Sequence, residues 1–169
     1  MPGITLPEFF GPSIFVDAAW DSFGFRVGGV IPGRGVRSWP VRDRISNQQE
    51  AELQGVAWAV RLACRFGWRT VTVVTDSTAA GCQAVGLRAK TWLRRQMRVL
   101  RAVVWRMAVS GMIVRFVWVP SALQPADPLS RLYSEHNGSK CEAECAAWGV
   151  YERLLRMPTA CTPFGVVFV

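Results

Sequence analysis

A run of six consecutive β-branched residues limits most strongly what this chain can fold into. Residues 70–75 read Thr-Val-Thr-Val-Val-Thr, and an acidic residue, Asp76, follows directly. A strand built only from such residues is typical of the centre of a sheet whose two faces are both covered. The run therefore predicts an α/β domain with this strand in the middle of its sheet.

The segments on either side of this run predict a mixed sheet. Three short strands separated by turns precede a helix with helical apolar spacing, and further helices and one more strand follow the run. The strands are predicted at about residues 13–19, 23–29, 36–41, 70–75 and 113–119, and the main helices at about 46–66, 90–110 and 141–157. We expect a five-stranded mixed sheet, antiparallel in its first three strands and then parallel, flanked by helices.

Chain length and composition predict one intracellular domain. The 169 residues suit a single core, with a Pro- and Gly-rich connector at 1–13, the domain at 14–157 and an apolar tail at 158–169. The first 13 residues lack the basic residues of a secretory signal. The five cysteines are an odd number, which favours reduced thiols inside the cell without distinguishing cytoplasm from nucleus.

The charge balance indicates a polyanionic partner. The chain has 20 Lys plus Arg against 12 Asp plus Glu, a net charge of +8, and no apolar run long enough to cross a bilayer. We therefore expect nucleic acid rather than a membrane. Four arginines of the predicted helix at 90–110 are candidate phosphate contacts, and the alternative is a solvated helix face. These candidates are Arg94, Arg95, Arg98 and Arg101.

Four acids occupy positions where side chains from different elements can converge. Asp17 ends the first predicted strand, Glu52 lies in the first turns of the first helix, Asp76 ends the fourth strand and Asp127 follows the fifth. Acids at neighbouring strand ends meet at one edge of a sheet, and divalent cations relieve their repulsion. Glu50 competes with Glu52, because side chains two positions apart on a helix point about 200° apart and cannot both enter one site.

Four motifs resemble those of ribonuclease H. They read "IFVDAAWDSFGF", "QQEAEL", "VVTDS" and "FVWVPSALQPADPLSR". The last is most similar to hepatitis B-type viral polymerases and tyrosine-recombinase retrotransposons, where Val-Pro and small residues precede Asn-Pro-Ala-Asp and then Ser-Arg. This chain has Gln124 where that Asn is usual. The resemblance extends over about residues 14–131.

The resemblance implies a fold, a reaction and a set of site residues. Asp17, Glu52, Asp76 and Asp127 match the catalytic acids of that family in order, and the Ala-Glu-Leu pattern selects Glu52 over Glu50. It implies a ribonuclease H-like fold and an endonuclease that cuts the RNA strand of RNA/DNA hybrids. Two Mg²⁺ ions, for which Mn²⁺ substitutes, would be bound by the four acids, and the products would carry 5′-phosphate and 3′-hydroxyl ends.

The same resemblance implies partners and leaves one alternative. Its partners would be an RNA/DNA hybrid and an upstream reverse transcriptase domain of the same polyprotein. Asn47 and Gln48 are candidate contacts to the hybrid, since they stand at the start of the first helix, near the acids. The alternative is a catalytically silent module of this fold that binds nucleic acid or tethers a polymerase.

Overall fold

One sheet organises the described part of the chain. The computed structural model describes residues 12–21, 24–41, 48–77, 98, 102, 105–132, 139–156 and 165–167, with backbone alone at 21 and 165–167. Within these residues six strands lie in the order β3-β2-β1-β4-β5-β6. They are β1 (Ser13–Asp21), β2 (Gly24–Ile31), β3 (Gly35–Pro40), β4 (Thr70–Thr75), β5 (Ile113–Trp118) and β6 (Gly165–Val167).

The strand pairing confirms the predicted mixed sheet and extends it. β1, β2 and β3 pair antiparallel, whereas β4 pairs parallel with both β1 and β5. The β-branched run is thus a central strand, as its composition predicts. β6, which falls in the predicted tail, adds an unpredicted sixth strand antiparallel to β5.

Helices cover both faces of the sheet. Within the described residues they are α1 (Gln48–Arg65), the short α2 (Asp127–Ser130) and α3 (Lys140–Leu155), together with a helical segment at 105–110 and a 3-10 turn at Ser121–Leu123. α1 ends just before Gly67, whose φ of 72° suits a glycine at a helix end, as predicted. None of the described helices combines the length and apolarity needed to span a bilayer.

The side chains of β1 alternate between two apolar layers. Ile14 and Val16 face α1, while Phe15 between them faces the side of α2 and α3. All three are almost completely buried. Because a strand directs successive side chains to opposite faces, the residue two positions after Phe15, Asp17, is expected on the α2 side.

The first strand is longer than predicted, and this changes the placement of Asp17. β1 pairs with β4 only at residues 13–15, but it pairs with β2 as far as Asp21. The prediction that the strand ends near Asp17 was therefore wrong. Pairing with β2 keeps the backbone extended after β4 has diverged, so Asp17 lies within the strand, just beyond the point where β1 and β4 separate.

A glycine opposite Asp17 lets α2 approach the sheet closely. Gly28 is the β2 partner of Asp17. A Cβ at Gly28 would lie 2.5 Å from both the carbonyl oxygen of Ala126 and the amide nitrogen of Ser130. These are backbone atoms that side-chain rotation cannot move, so the absence of a side chain at Gly28 positions α2 beside Asp17.

Candidate metal centre

Three of the four predicted acids meet at one edge of the sheet. Carboxylate oxygens of Asp17, Glu52 and Asp76 all lie within 4.8 Å of one another. Asp17 and Glu52 are only 3% and 5% exposed, and Asp76 is half-buried. Such proximity of buried acids is unfavourable unless a proton or a cation neutralises them.

The separation of β1 from β4 explains how these acids converge. Asp17 belongs to β1, Glu52 comes from α1 on the opposite face, and Asp76 follows the last residue of β4. Registered pairing of the two strands ends at Phe15 and Val74. Beyond that pair the sheet opens, and the opening gives side chains from both faces a common space.

Hydrogen bonds hold each of the three carboxylates. The Gln48 amide nitrogen donates to Glu52 Oε1 at 2.8 Å and to the carbonyl oxygen of Ala18. The buried Ser130 hydroxyl donates to Asp17 Oδ2 at 2.9 Å. The hydroxyl of Ser121, in the 3-10 turn, donates to Asp76 Oδ2 at 3.0 Å. The side chains are thus oriented before any ligand binds.

Burial and mutual repulsion raise the pKa of two of these acids. Burial, followed by the charges of Glu52 and Asp76, raises the pKa of Asp17 to about 10. Burial, followed by the charge of Asp76, raises the pKa of Glu52 to about 8. A divalent cation bound between the oxygens would oppose both effects, since it favours the ionised carboxylates.

One oxygen of the cluster has no hydrogen-bond partner in the described part of the chain. Glu52 Oε2 is buried, and no described donor reaches it. An unsatisfied buried carboxylate oxygen is costly, and hard cations such as Mg²⁺ take oxygen ligands of this type. The unpaired oxygen and the all-carboxylate donor set both fit a divalent metal ion.

The fourth predicted acid, Asp127, stands at the border of this cluster. It is not one of the three mutually close carboxylates, and its Oδ1 accepts a hydrogen bond from Arg131 Nε at 2.9 Å. A side-chain hydrogen bond with Asp127, and then the charge of Asp127, nevertheless add to the causes that raise the pKa of Asp17. Asp127 is therefore close enough to act on Asp17 electrostatically while it is paired with Arg131.

The structure distinguishes the two glutamates that helical periodicity left open. Glu52 belongs to the cluster and Glu50 does not, although both are buried. Two of the predicted nucleic-acid contacts lie in the described part of the chain. Gln48, beside Glu52, and Arg98 are both helical residues that are exposed to solvent. The other predicted nucleic-acid contacts, Asn47, Arg94, Arg95 and Arg101, lie outside the described residues.

Several residues that organise the site were missed by sequence reasoning. Ser121 and Ser130 each hold an acid, and buried Gln124 bonds to two strands. Both serines and Gln124 belong to the "VPSALQPADPLSR" motif, which pointed to Asp127 alone. The position of Ser130 one turn after Asp127 was a usable signal, since residues three apart share a helix face.

The protein is similar to known proteins in its structure but not in its sequence. No protein-family model and no curated protein matches the sequence significantly. Ribonuclease H1 of Halobacterium salinarum matches in structure with a TM-score of 0.58 and 19% identity, over 72% of this chain and 95% of that one. The N-terminal ribonuclease H domain of rv2228c from Mycobacterium tuberculosis, solved as a fusion with maltose-binding protein, matches with a TM-score of 0.59 and 16% identity, over 82% and 96%.

A third similar structure contains nucleic acid. LC11-RNase H1 in complex with an RNA/DNA hybrid matches with a TM-score of 0.55 and 19% identity, over 70% of this chain and 92% of that one. Identities this low establish architecture alone. Together with the strand order and the helices on both faces, they show that the chain has the ribonuclease H-like fold.

Proposed function

We propose that the protein is a metal-dependent endonuclease that hydrolyses the RNA strand of RNA/DNA hybrids during reverse transcription. The observation that carries this proposal is the group of three carboxylates at the edge of the sheet, two of them buried, with oxygens within 4.8 Å of one another and one oxygen without a hydrogen bond among the described residues. The fold supports the same reading, because the similar proteins are ribonucleases H and one of them was solved with a hybrid.

Asp17, Glu52 and Asp76 would hold divalent ions, with Asp127 as a fourth ligand from the border of the cluster. Two bound ions would activate a water molecule and neutralise the charge that develops on the phosphate. Asp127 would contribute on release from Arg131, a pairing of two partly exposed side chains that is weak enough to exchange. Gln48 and Ser130 keep Glu52 and Asp17 oriented.

Recognition of the hybrid would rest on the basic surface. The net charge of +8 favours a polyanion, and contacts from Arg94, Arg95, Arg98 and Arg101 to phosphates would fix the position of the duplex without reading its bases. Asn47 and Gln48 would approach the RNA strand, whose 2′-hydroxyls distinguish it from DNA. The likeness of "FVWVPSALQPADPLSR" to retroelement polymerases supports a role beside an upstream reverse transcriptase domain.

Cleavage of a labelled RNA/DNA hybrid tests this function. We expect the wild-type protein with Mg²⁺ to cut the RNA strand internally and to spare single-stranded RNA and duplex DNA. Asp76→Asn keeps the size of the side chain and an acceptor for Ser121, but it removes a charge from the cluster. We expect that variant to lose at least about a hundredfold in rate, in line with the loss of a metal ligand.

Glu152→Gln provides the matched control, because Glu152 is an exposed acid on α3 and is not in the cluster. It should cleave like the wild type. Activity that survives in Asp76→Asn would contradict the mechanism. A wild-type protein that binds the hybrid but cleaves nothing with either Mg²⁺ or Mn²⁺ would instead identify a silent module of this fold.

A further inference from the structure

The strands that bear two of the acids are joined by a single side-chain amide. Gln124, which is fully buried, donates from Nε2 to the carbonyl oxygen of Val16 at 2.9 Å and to that of Val74 at 3.2 Å. Val16 belongs to β1 and Val74 to β4. Both are nearly inaccessible to solvent, so neither carbonyl can turn to water for a partner.

This amide lies where the pairing between β1 and β4 ends. Backbone pairing of β1 with β4 ends at Phe15 and Val74. A primary amide carries two N–H groups on one nitrogen, so it can donate to two carbonyl oxygens, which as acceptors cannot bond to each other. Gln124 therefore joins β1 to β4 where their backbone pairing ends, and it limits how far the two strands separate beyond that point.

The other end of the same amide fixes the helix that follows. Gln124 Oε1 accepts a hydrogen bond from the backbone N–H of Ala126 at 3.3 Å. Ala126 is the residue before α2 and is itself fully buried. The three polar contacts of one side chain thus join β1, β4 and the start of α2.

Each of these three anchor points is adjacent or nearly adjacent to an acid. Asp17 follows Val16, Asp76 is two residues after Val74, and Asp127 follows Ala126. We propose that Gln124 is a positioning residue that sets the spacing of the acids in the metal centre through their backbones. The proposal rests on the nuclease function proposed above, since that function requires the acids to bind metal together.

The chemistry of the contact specifies which substitutions should fail. Gln124→Met preserves the unbranched shape but removes both donors and the acceptor. Gln124→Asn keeps the amide but shortens the side chain by one carbon, so it cannot reach both carbonyls while it remains bonded to Ala126. Both variants should weaken or remove the hydrogen bonds to the buried carbonyls of Val16 and Val74 and allow β1 and β4 to shift.

Measuring metal affinity distinguishes a role of Gln124 in positioning the acids from a role in general stability of the fold. We expect Mn²⁺ affinity, measured from the electron paramagnetic resonance signal of free Mn²⁺, to fall by about tenfold or more in either variant. In hybrid cleavage, kcat should fall while KM for the hybrid changes little, because the basic surface is untouched. Val60→Ala, a fully buried site of α1 outside the cluster, controls for lost stability and should keep wild-type Mn²⁺ affinity.

Two further results decide the proposal independently of catalysis. In the wild-type protein the Ala126 amide should be protected from hydrogen exchange, and Gln124→Asn should reduce that protection, whether or not the protein cleaves RNA. An unprotected Ala126 amide, or a folded Gln124→Met that binds Mn²⁺ like the wild type, would overturn the proposal. If the wild-type protein neither binds Mn²⁺ nor cleaves hybrids, the proposed nuclease function is wrong, and the role of Gln124 in spacing metal ligands is wrong with it. A protected Ala126 amide would in that case still show that the Gln124 side chain joins β1, β4 and α2.

Discussion

The two ends of α1 contribute to the protein in opposite ways. Its first turns bury Glu50 and Glu52, whereas its later turns bury only apolar side chains such as Val56 and Val60. The apolar end stabilises the fold, because the burial of each methylene group contributes about 0.8 kcal/mol to the free energy of unfolding. The acidic end holds Glu52 in a cluster whose raised pKa values record unfavourable burial and repulsion. One helix therefore joins a stabilising core to a site that opposes folding until its charge is neutralised.

The largest expected effect on stability lies at the apolar end. Ile14 is completely buried in the layer that contains Val56 and Val60. Ile14→Ala should lower the free energy of unfolding by about 2–5 kcal/mol, because it removes buried contacts and leaves a cavity. Urea denaturation should give the same loss in EDTA and in Mg²⁺. A loss that appears only in Mg²⁺ would show that the two ends of α1 are not separable.

A substitution at Gly28 tests the close packing of α2 on β2, which supports the acids that meet at the first turns of α1. Gly28→Ala should destabilise the protein by about 1–3 kcal/mol, because the new Cβ would collide with the backbone of Ala126 and Ser130. Cleavage should suffer more than stability, since α2 carries Asp127 and contacts Asp17 through Ser130.

Gly149→Ala is the matched control for that change. Gly149 lies within α3, and a Cβ there would meet no atom within 4 Å. The substitution should stabilise the protein by about 0.5–1 kcal/mol, as expected for an exposed helical glycine, and leave cleavage unchanged. If both substitutions affect cleavage equally, close approach at Gly28 is not what positions α2.

Removing a charge from the acidic end should raise the stability of the metal-free protein. Asp17→Asn should stabilise the metal-free protein by at least about 1.4 kcal/mol at neutral pH, the equivalent of one pKa unit, because it removes a buried, repelled carboxylate. The same substitution should abolish any added stability from Mg²⁺. Denaturation in EDTA and in Mg²⁺ measures both changes, and a destabilised metal-free variant would contradict the raised pKa of Asp17.

The pH dependence of the wild-type protein gives a second measure of the same repulsion. Asp17 and Glu52 have pKa values raised to about 10 and about 8, from ordinary values of 3.8 and 4.5. The unfolded chain ionises first as pH rises, so the contribution of these groups is fully present below about pH 4 and is lost progressively toward pH 8–10. In EDTA, stability should fall across this window, and Mg²⁺ should reduce the fall.

The position of Asp76 could be predicted closely, whereas that of Asp17 could not. The β-branched run ends sharply at Thr75, so local composition alone locates the acid after β4. The apolar run before Asp17 gives no comparable signal, because residues 18–20 continue the strand only through pairing with β2. β6 was missed for a different reason: its two valines favour a strand, but three residues are too few to show the alternation or length that predicts one.

The amino-acid sequence by itself determined the order of the first five strands and of α1 and α3, the α/β class and the acids that stand near strand and helix ends. These properties depend on local composition and periodicity, which are written in neighbouring residues. Only the tertiary structure placed Glu52 beside Asp17 and Asp76, raised the pKa values and brought Ser130 to Asp17 across 113 positions of the chain. Burial, charge repulsion and hydrogen bonding depend on atoms that folding brings together, and their strength changes over distances of a few ångströms.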